Sequence, residues 1–358
     1  MKKKNLRNIH SISGLFTGLF ILALSLSGSV LLFRNNIDAL QTPMVGLTKT
    51  PSKLLTVDSC YKIIQTNYPH AVVSSCTLAQ NEYETFSFTI YDSSYQQGTK
   101  PLQLFLHPQS GTILKTRGGS EDVKHNFMAW LSAFHSSFHA GKIGEWLLGF
   151  FSVVFLISII TGIILFRKDI IGVVLFNKLT WKKNNWHQVI GTWALLFNLM
   201  IAVTGFWMQR YVFKKEFYQN SDWINTIKPS PGLFFKFDSA YNNLQKQYPD
   251  FTGYVVYFTQ RKKGTTAIYG SNKTNAYIHS KKFADVIFLD STGAIAKTRF
   301  INEISAGDRY DIINAQLHMA KYGGTTIKII YCLFGLSSAF LSITGFILWL
   351  KRKRAGGI

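Results

Sequence analysis

Four stretches of the chain, residues 11–33, 146–166, 188–208 and 329–350, contain no charged side chain. Each is 21 to 23 residues long, against the ~20 apolar residues that carry a helix across a hydrocarbon core. The pattern predicts four membrane-spanning helices. The first follows a basic start, MKKKNLR, but its apolar stretch exceeds the ~7–15 residues of a signal-peptide core. It therefore reads as a retained helix.

Polar residues dominate the two long intervals between spans. In the first, residues 43–51 read as a linker, a Thr56 or Asp58 cap opens a short helix over 56–68, and strands follow over 71–78, 84–91, 102–107 and 112–116. The second interval repeats the plan, with a helix over 238–248 and strands near 253–259, 266–269, 285–289 and 294–299. LFLHPQSGTILKTR and IFLDSTGAIAKTR close the two intervals in the same way: apolar strand, glycine turn, second strand, Lys-Thr-Arg. Helical approaches over 123–139 and 308–322 lead into the second and fourth spans.

The spans repeat too. His135 to Gly162 is 27 positions, as is His318 to Gly345, and His10 to Gly28 is 18, as is His187 to Gly205. Nearer glycines keep register, with Gly141 and Gly324 six positions after their histidines and Gly14 and Gly191 four after theirs. Such coincidences predict an internal two-fold duplication. The expected fold is an α-helical four-helix transmembrane bundle with two α+β modules outside the membrane. Its divisions are the first span (1–34), first module (35–121), approach and second span (122–167), inner loop (168–186), third span (187–210), second module (211–307), approach and fourth span (308–350) and tail (351–358).

The net charge of +21 changes the picture through its placement. Lys2, Lys3, Lys4 and Arg7, then Arg167, Lys168, Lys178, Lys182 and Lys183, then residues 351–354 all fall on one side if the spans alternate, which is the positive-inside pattern. Both termini are then cytoplasmic. Lys262, Lys263, Lys281 and Lys282 lie in a long outer loop, where charge says little about topology. No nucleic-acid motif accompanies the charge. Trp130, Trp146, Trp186 and Trp349 read as interfacial anchors. Cys332 reads as an apolar filler, and a Cys60–Cys76 disulfide stays open.

This topology puts His10 and His187 at the cytoplasmic ends of their helices and His135 and His318 at the outer ends. Each face then holds two imidazoles, one from each half. An isolated interfacial histidine is ordinarily just a tolerated polar residue, but four in register suit axial ligation of one haem iron per face. The glycines leave room for a flat macrocycle or for close helix packing. Arg34 and Arg210 outside, with Arg167 and Lys351 inside, are candidate propionate partners. His139, at helical spacing from His135, is a candidate alternate ligand, supporting group or substrate-side base, and its counterpart in the repeat is Tyr322. His70, His107, His125 and His279 match nothing in the repeat and read as surface residues. Catalytic groups beyond these cannot be named from the sequence, and phosphate loops, nucleophile elbows and HExxH motifs are absent.

IHSISGLFTG, LSAFHSSFHAGKIGEW, WHQVIGTW, the Thr-Gly pairs ending three spans, and QLHMAKYGG together resemble the PepSY-associated transmembrane proteins of bacteria. That family, often called iron-regulated membrane proteins, includes inner-membrane ferric-siderophore reductases. The HPQSGTIL and DSTGAIAKT turns make the outer modules similar to PepSY domains. The resemblance implies an inner-membrane haem b conduit, with two haems held by His10, His187, His135 and His318, that reduces ferric siderophore or another ferric chelate for iron acquisition. Some relatives append a flavin reductase domain; no stretch here resembles one, so quinol or a cytosolic reductase is the expected electron donor. Two other functions stay open: a membrane-anchored module that binds a protein or protease partner, in which the histidines are expendable, and a haem or siderophore transporter. Proline-broken spans and mid-span charges, frequent in transporters, are missing from the sequence.

Overall fold

The computed structural model describes residues 3–43, 54–81, 83–177, 185–219, 235–258, 265–274 and 276–354. The linker beyond Pro43, and the lysines Lys2, Lys178, Lys182, Lys183, Lys262 and Lys263, lie outside the described residues. In chain order the first elements are α1 (Lys3–Leu31), α2 (Arg34–Ala39), α3 (Val57–Asn67), β1 (Val72–Thr77), β2 (Phe86–Tyr91), β3 (Leu102–Leu106), β4 (Ile113–Gly118), α4 (Phe127–Ser137) and α5 (Gly141–Val174). There follow α6 (Trp186–Trp193), α7 (Leu195–Gln209), α8 (Lys215–Gln219), α9 (Phe237–Gln247), β5 (Thr252–Tyr257), β6 (Thr266–Ser271), β7 (Asp285–Leu289), β8 (Ile295–Arg299), α10 (Ala306–His318) and α11 (Gly324–Arg354).

The chain divides into two compact units, one of residues 1–34, 131–220 and 317–358, the other of residues 35–130 and 221–316. In the first, α1, α5 and α11 are each long and apolar enough to cross a membrane, and α6 with α7 makes a fourth span if that bent pair is counted as one. α1 packs on α5 and α11, and α5 on α7. The distribution of residues on α1 inverts the soluble pattern. Its buried positions include Ser13, Thr17, Ser27 and Ser29, whereas Ile12 and Leu19 are exposed. Small polar residues at helix contacts and large apolar ones facing outward are what a lipid solvent selects.

The third run is not the continuous helix expected over 187–210. Its two pieces meet at 65°. At Ala194, between them, ψ is 1° where a helix needs about −42°, so the next turn leaves in a new direction. Proline and glycine, the residues that advertise a break, are not at this position.

The second unit is one antiparallel sheet of eight strands in the order β4-β3-β2-β1-β5-β6-β7-β8. Each expected module supplies four strands and one helix, and the two sets join edge to edge through Ser75↔Tyr257, Cys76↔Val256 and Thr77↔Val255. Alternation drives the folding: Phe86, Phe88 and Ile90 point to one face with Leu102, Leu104 and Leu106, into a core that also takes in Ile64 of α3 and Leu244 of α9. Each such fully buried side chain stabilises by about 1.5–3 kcal/mol.

The two helices are tied at their starts. The backbone N–H groups of Val57 and Asp58 donate to the carboxylate of Asp238 at 3.0 and 2.8 Å, and those of Phe237 and Asp238 donate to the carboxylate of Asp58 at 3.0 Å each. Each carboxylate thereby satisfies N–H groups that an isolated helix leaves unpaired. Thr56 is the residue that caps α3, accepting from Ser59. Cys60 and Cys76 are free and buried. Burial, with Asp238 nearby, pushes the Cys60 thiol up to about 12, so it is an inert packing group.

Candidate cofactor site

All four repeat histidines are held by the same local device. The Nδ1 atom of His10 lies 3.2 Å from Thr161 Oγ1, that of His135 2.9 Å from Ser27 Oγ, that of His187 2.9 Å from Thr344 Oγ1, and that of His318 3.0 Å from Thr204 Oγ1. Each of these hydroxyls already donates its hydrogen to the backbone carbonyl one turn earlier, at 2.8 Å in every case. A hydroxyl with its hydrogen committed can only accept. The proton between ring and hydroxyl must therefore sit on Nδ1, and Nε2 keeps its lone pair for a ligand. His10 adds a second acceptor, the Ser158 carbonyl at 2.9 Å.

The residue after each hydroxyl is a glycine against which the imidazole rests. A Cβ at Gly28 would meet His135 Cε1 at 3.0 Å, one at Gly162 His10 at 3.2 Å, one at Gly205 His318 at 3.2 Å, and one at Gly345 His187 at 3.4 Å. The Ser-Gly and Thr-Gly pairs are thus histidine seats, the hydroxyl fixing the tautomer and the glycine admitting the ring. The seats are reciprocal between helix pairs: α1 takes His135 and gives His10 to α5, while α7 takes His318 and α6 gives His187 to α11.

Across the halves, the rings of His10 and His187 have centroids 6.4 Å apart at an interplanar angle of 75°. Two imidazoles sharing one metal through Nε2, at ~2.0 Å from each nitrogen, hold their centroids roughly 6 Å apart. A cavity of about 460 Å³ opens beside them, with Gly14, Gly162, Gly191 and Gly345 in its walls. That volume is within the ~300–1,000 Å³ of small-molecule and cofactor sites. Among the described residues no group of three or more His, Cys, Asp and Glu side chains is placed to hold a metal ion. A bare ion would lack donors here; a planar macrocycle that brings its own equatorial nitrogens and takes two axial imidazoles fits. His135 and His318 occupy the other two seats, on α1 and α7.

The cations are arranged differently from expectation. Arg7 and Arg352 line the cavity, and Arg167 and Lys351 do not. Arg7 is three residues from His10 and Arg352 seven from Gly345, each on the seat-bearing face of its helix, whereas Arg167 is five from Gly162 and off that face. Arg34 donates to Ser132, one turn before His135, at 3.5 Å. Arg210 lies over the Trp207 ring at 4.4 Å and donates to the Trp207 carbonyl at 2.6 Å.

His139 does not share a helix face with His135. α4 stops at Ser137, and Phe138 and His139 take φ values of 49° and 57°, so the expected spacing is lost; the His139 ring sits 6.2 Å from Phe134. Of the remaining histidines, His125 pairs with Asp122 at 2.9 Å, His107 caps its turn by accepting from Gln109 and Ser110, and His279 meets the Ala276 carbonyl. Besides Arg7 and Arg352, one more cavity-lining residue is not signalled by the repeat. Asn198, in the cavity wall, accepts from Ser338 at 2.7 Å with both residues buried; its amide in the middle of an apolar run was the available signal.

No curated protein matches the chain. A family model, the PepSY-associated TM region, matches residues 7–352, nearly the whole length. The apolar helices, the separate antiparallel sheet and this match make the chain a membrane protein that belongs to the PepSY-associated transmembrane family.

Proposed function

We propose that the protein is an inner-membrane reductase that carries electrons outward across the bilayer to a ferric siderophore or another ferric chelate. In this reading the chain is a duplicated four-span bundle with both termini in the cytoplasm and the sheet unit outside. His10 and His187 hold one haem b on the cytoplasmic side, and His135 and His318 hold a second on the outer side. When bound, haem supplies one-electron transfer. The seats keep each Nε2 aimed and unprotonated, the glycines admit the rings, and Arg7 and Arg352 offer charge to propionates at the inner site. One electron per iron converts ferric to ferrous, whose hold on hard oxygen ligands is weaker. The donor is quinol or a cytosolic reductase.

The observation that carries this reading is the fourfold seat: four imidazoles from separate parts of the chain, each locked as the Nδ1–H tautomer, with one pair at the separation that a shared metal requires. The test uses the full chain in liposomes with reductant inside and a ferric chelate plus a ferrous-specific chromophore outside. Wild type should develop colour, and His187→Ala and His318→Ala should not. Equal rates in all three would remove the reading.

The 65° bend of the third span favours a second reading, a haem or siderophore transporter, because interrupted spans line many transport sites. It predicts protein-dependent uptake of labelled substrate that persists without reductant.

A further inference from the structure

The Lys-Thr-Arg motif occurs at both outer edges of the sheet in one register and meets two different fates. On β4, Lys115 stands opposite Phe105 of β3, and on β8, Lys297 stands opposite Phe288 of β7, each beside the same kind of register shift. At β4 the motif is occupied from within the chain. Asp38 of α2 takes Arg117 as a two-pronged pair at 2.8 and 3.0 Å, the Gln41 carbonyl takes Lys115, and the guanidinium lies 4.9 Å from the centroid of Phe105. Arg117 and Phe105 are buried as a result.

At β8 the corresponding place is a cleft of about 480 Å³ whose walls include Lys297, Arg299, Phe288, Ile304 and the carboxylate of Asp308. Lys297 is exposed, and Arg299 touches Asp308 only at 3.5 Å, with that carboxylate more than half exposed. Asp308 is itself held by the Ser305 hydroxyl at 2.9 Å, so it reaches Arg299 weakly and from one side. The occupant at β4 shows the chemistry that this motif accepts: a carboxylate on the arginine and a carbonyl oxygen on the lysine, with the phenylalanine lying under the guanidinium.

We infer that the β8 cleft binds a carboxylate-bearing chelate, with Arg299 and Lys297 gripping its oxygens and Phe288 supporting its body. Its identification as a ferric chelate rests on the reductase reading; the carboxylate preference rests on the cleft alone. The substrate class is then an anionic, carboxylate-type chelate of the citrate kind and not a neutral trihydroxamate.

Gallium citrate, which is not reduced, is the probe, titrated into the full chain in detergent. Lys297→Gln with Arg299→Gln should weaken binding by at least about tenfold, the loss expected for two charge-assisted contacts. Lys273→Gln with Lys281→Gln, the same charge change elsewhere on this unit, should leave it unchanged. Weak gallium citrate binding by wild type, unchanged affinity in the cleft variant, or an equal loss in the control pair would each overturn the inference. A protein that binds gallium citrate through the cleft but contains no haem would sink the reductase reading and leave this one standing.

Discussion

The imidazole of His187 and the hydroxyl of Thr344 meet at 2.9 Å with a single polarity open to them. Thr344 donates its hydrogen to the Phe340 carbonyl, so the ring must donate to the threonine, and the opposite nitrogen keeps its lone pair free. Thr344→Val keeps the shape of the side chain and removes the acceptor. Loss of such a supporting contact costs about 10–100-fold in ligand affinity. Transfer of haem from the purified variant to an apoprotein acceptor should accelerate accordingly, and Thr344→Ser should restore retention.

The glycine seats differ in how closely they grip. An added Cβ stands 3.0 Å from His135 at Gly28 but 3.4 Å, an ordinary contact, from His187 at Gly345. Gly28→Ala should displace its histidine and lower haem content at that site, while Gly345→Ala should leave both sites filled. Haem-to-protein ratios of the two variants make the comparison.

The 75° angle between the His10 and His187 rings would set the electronic symmetry of a haem iron held between them. Near-perpendicular imidazoles leave two iron d orbitals almost degenerate, so the oxidised protein should show a strongly anisotropic low-spin electron paramagnetic resonance signal. His187→Ala should abolish that signal. A rhombic signal of the parallel-ring type at this site would contradict the geometry.

Asp58 and Asp238 give the sheet unit a pH dependence. Burial and the facing Asp238 raise the Asp58 carboxyl above its ordinary 3.8. The folded state therefore binds the proton more tightly than the unfolded one, and stability from this group is present below about pH 4 and falls as pH rises through the raised value. Thermal midpoints of the full chain measured from pH 4 upward should carry this negative contribution, and Asp58→Asn, neutral throughout, should flatten it.

Much of the site was legible because histidine and glycine recur at fixed spacings and the spans are charge-free. The hydroxyl partners were written in the same words, Ser27, Thr161, Thr204 and Thr344, one position before each glycine. Their role emerges only when the neighbouring helix brings a histidine to them. Arg7 and Arg352 follow from helical phase, which counting along the chain alone does not apply. Other features depend on contacts far apart in sequence. The β1–β5 joint pairs residues about 180 positions apart, so two apparent modules become one sheet. The bend at Ala194 and the left-handed Phe138 and His139 occur at residues that local propensity assigns to continuing helix.

The central claim is that two histidine pairs each hold one haem, and a reduced-minus-oxidised visible spectrum of the purified protein, with its haem-to-protein ratio, tests it most directly. Sharp low-spin bands with about two haems per chain are expected, with loss of about one in each of His187→Ala and His318→Ala. A colourless protein, purified from cells with ample haem, would contradict it.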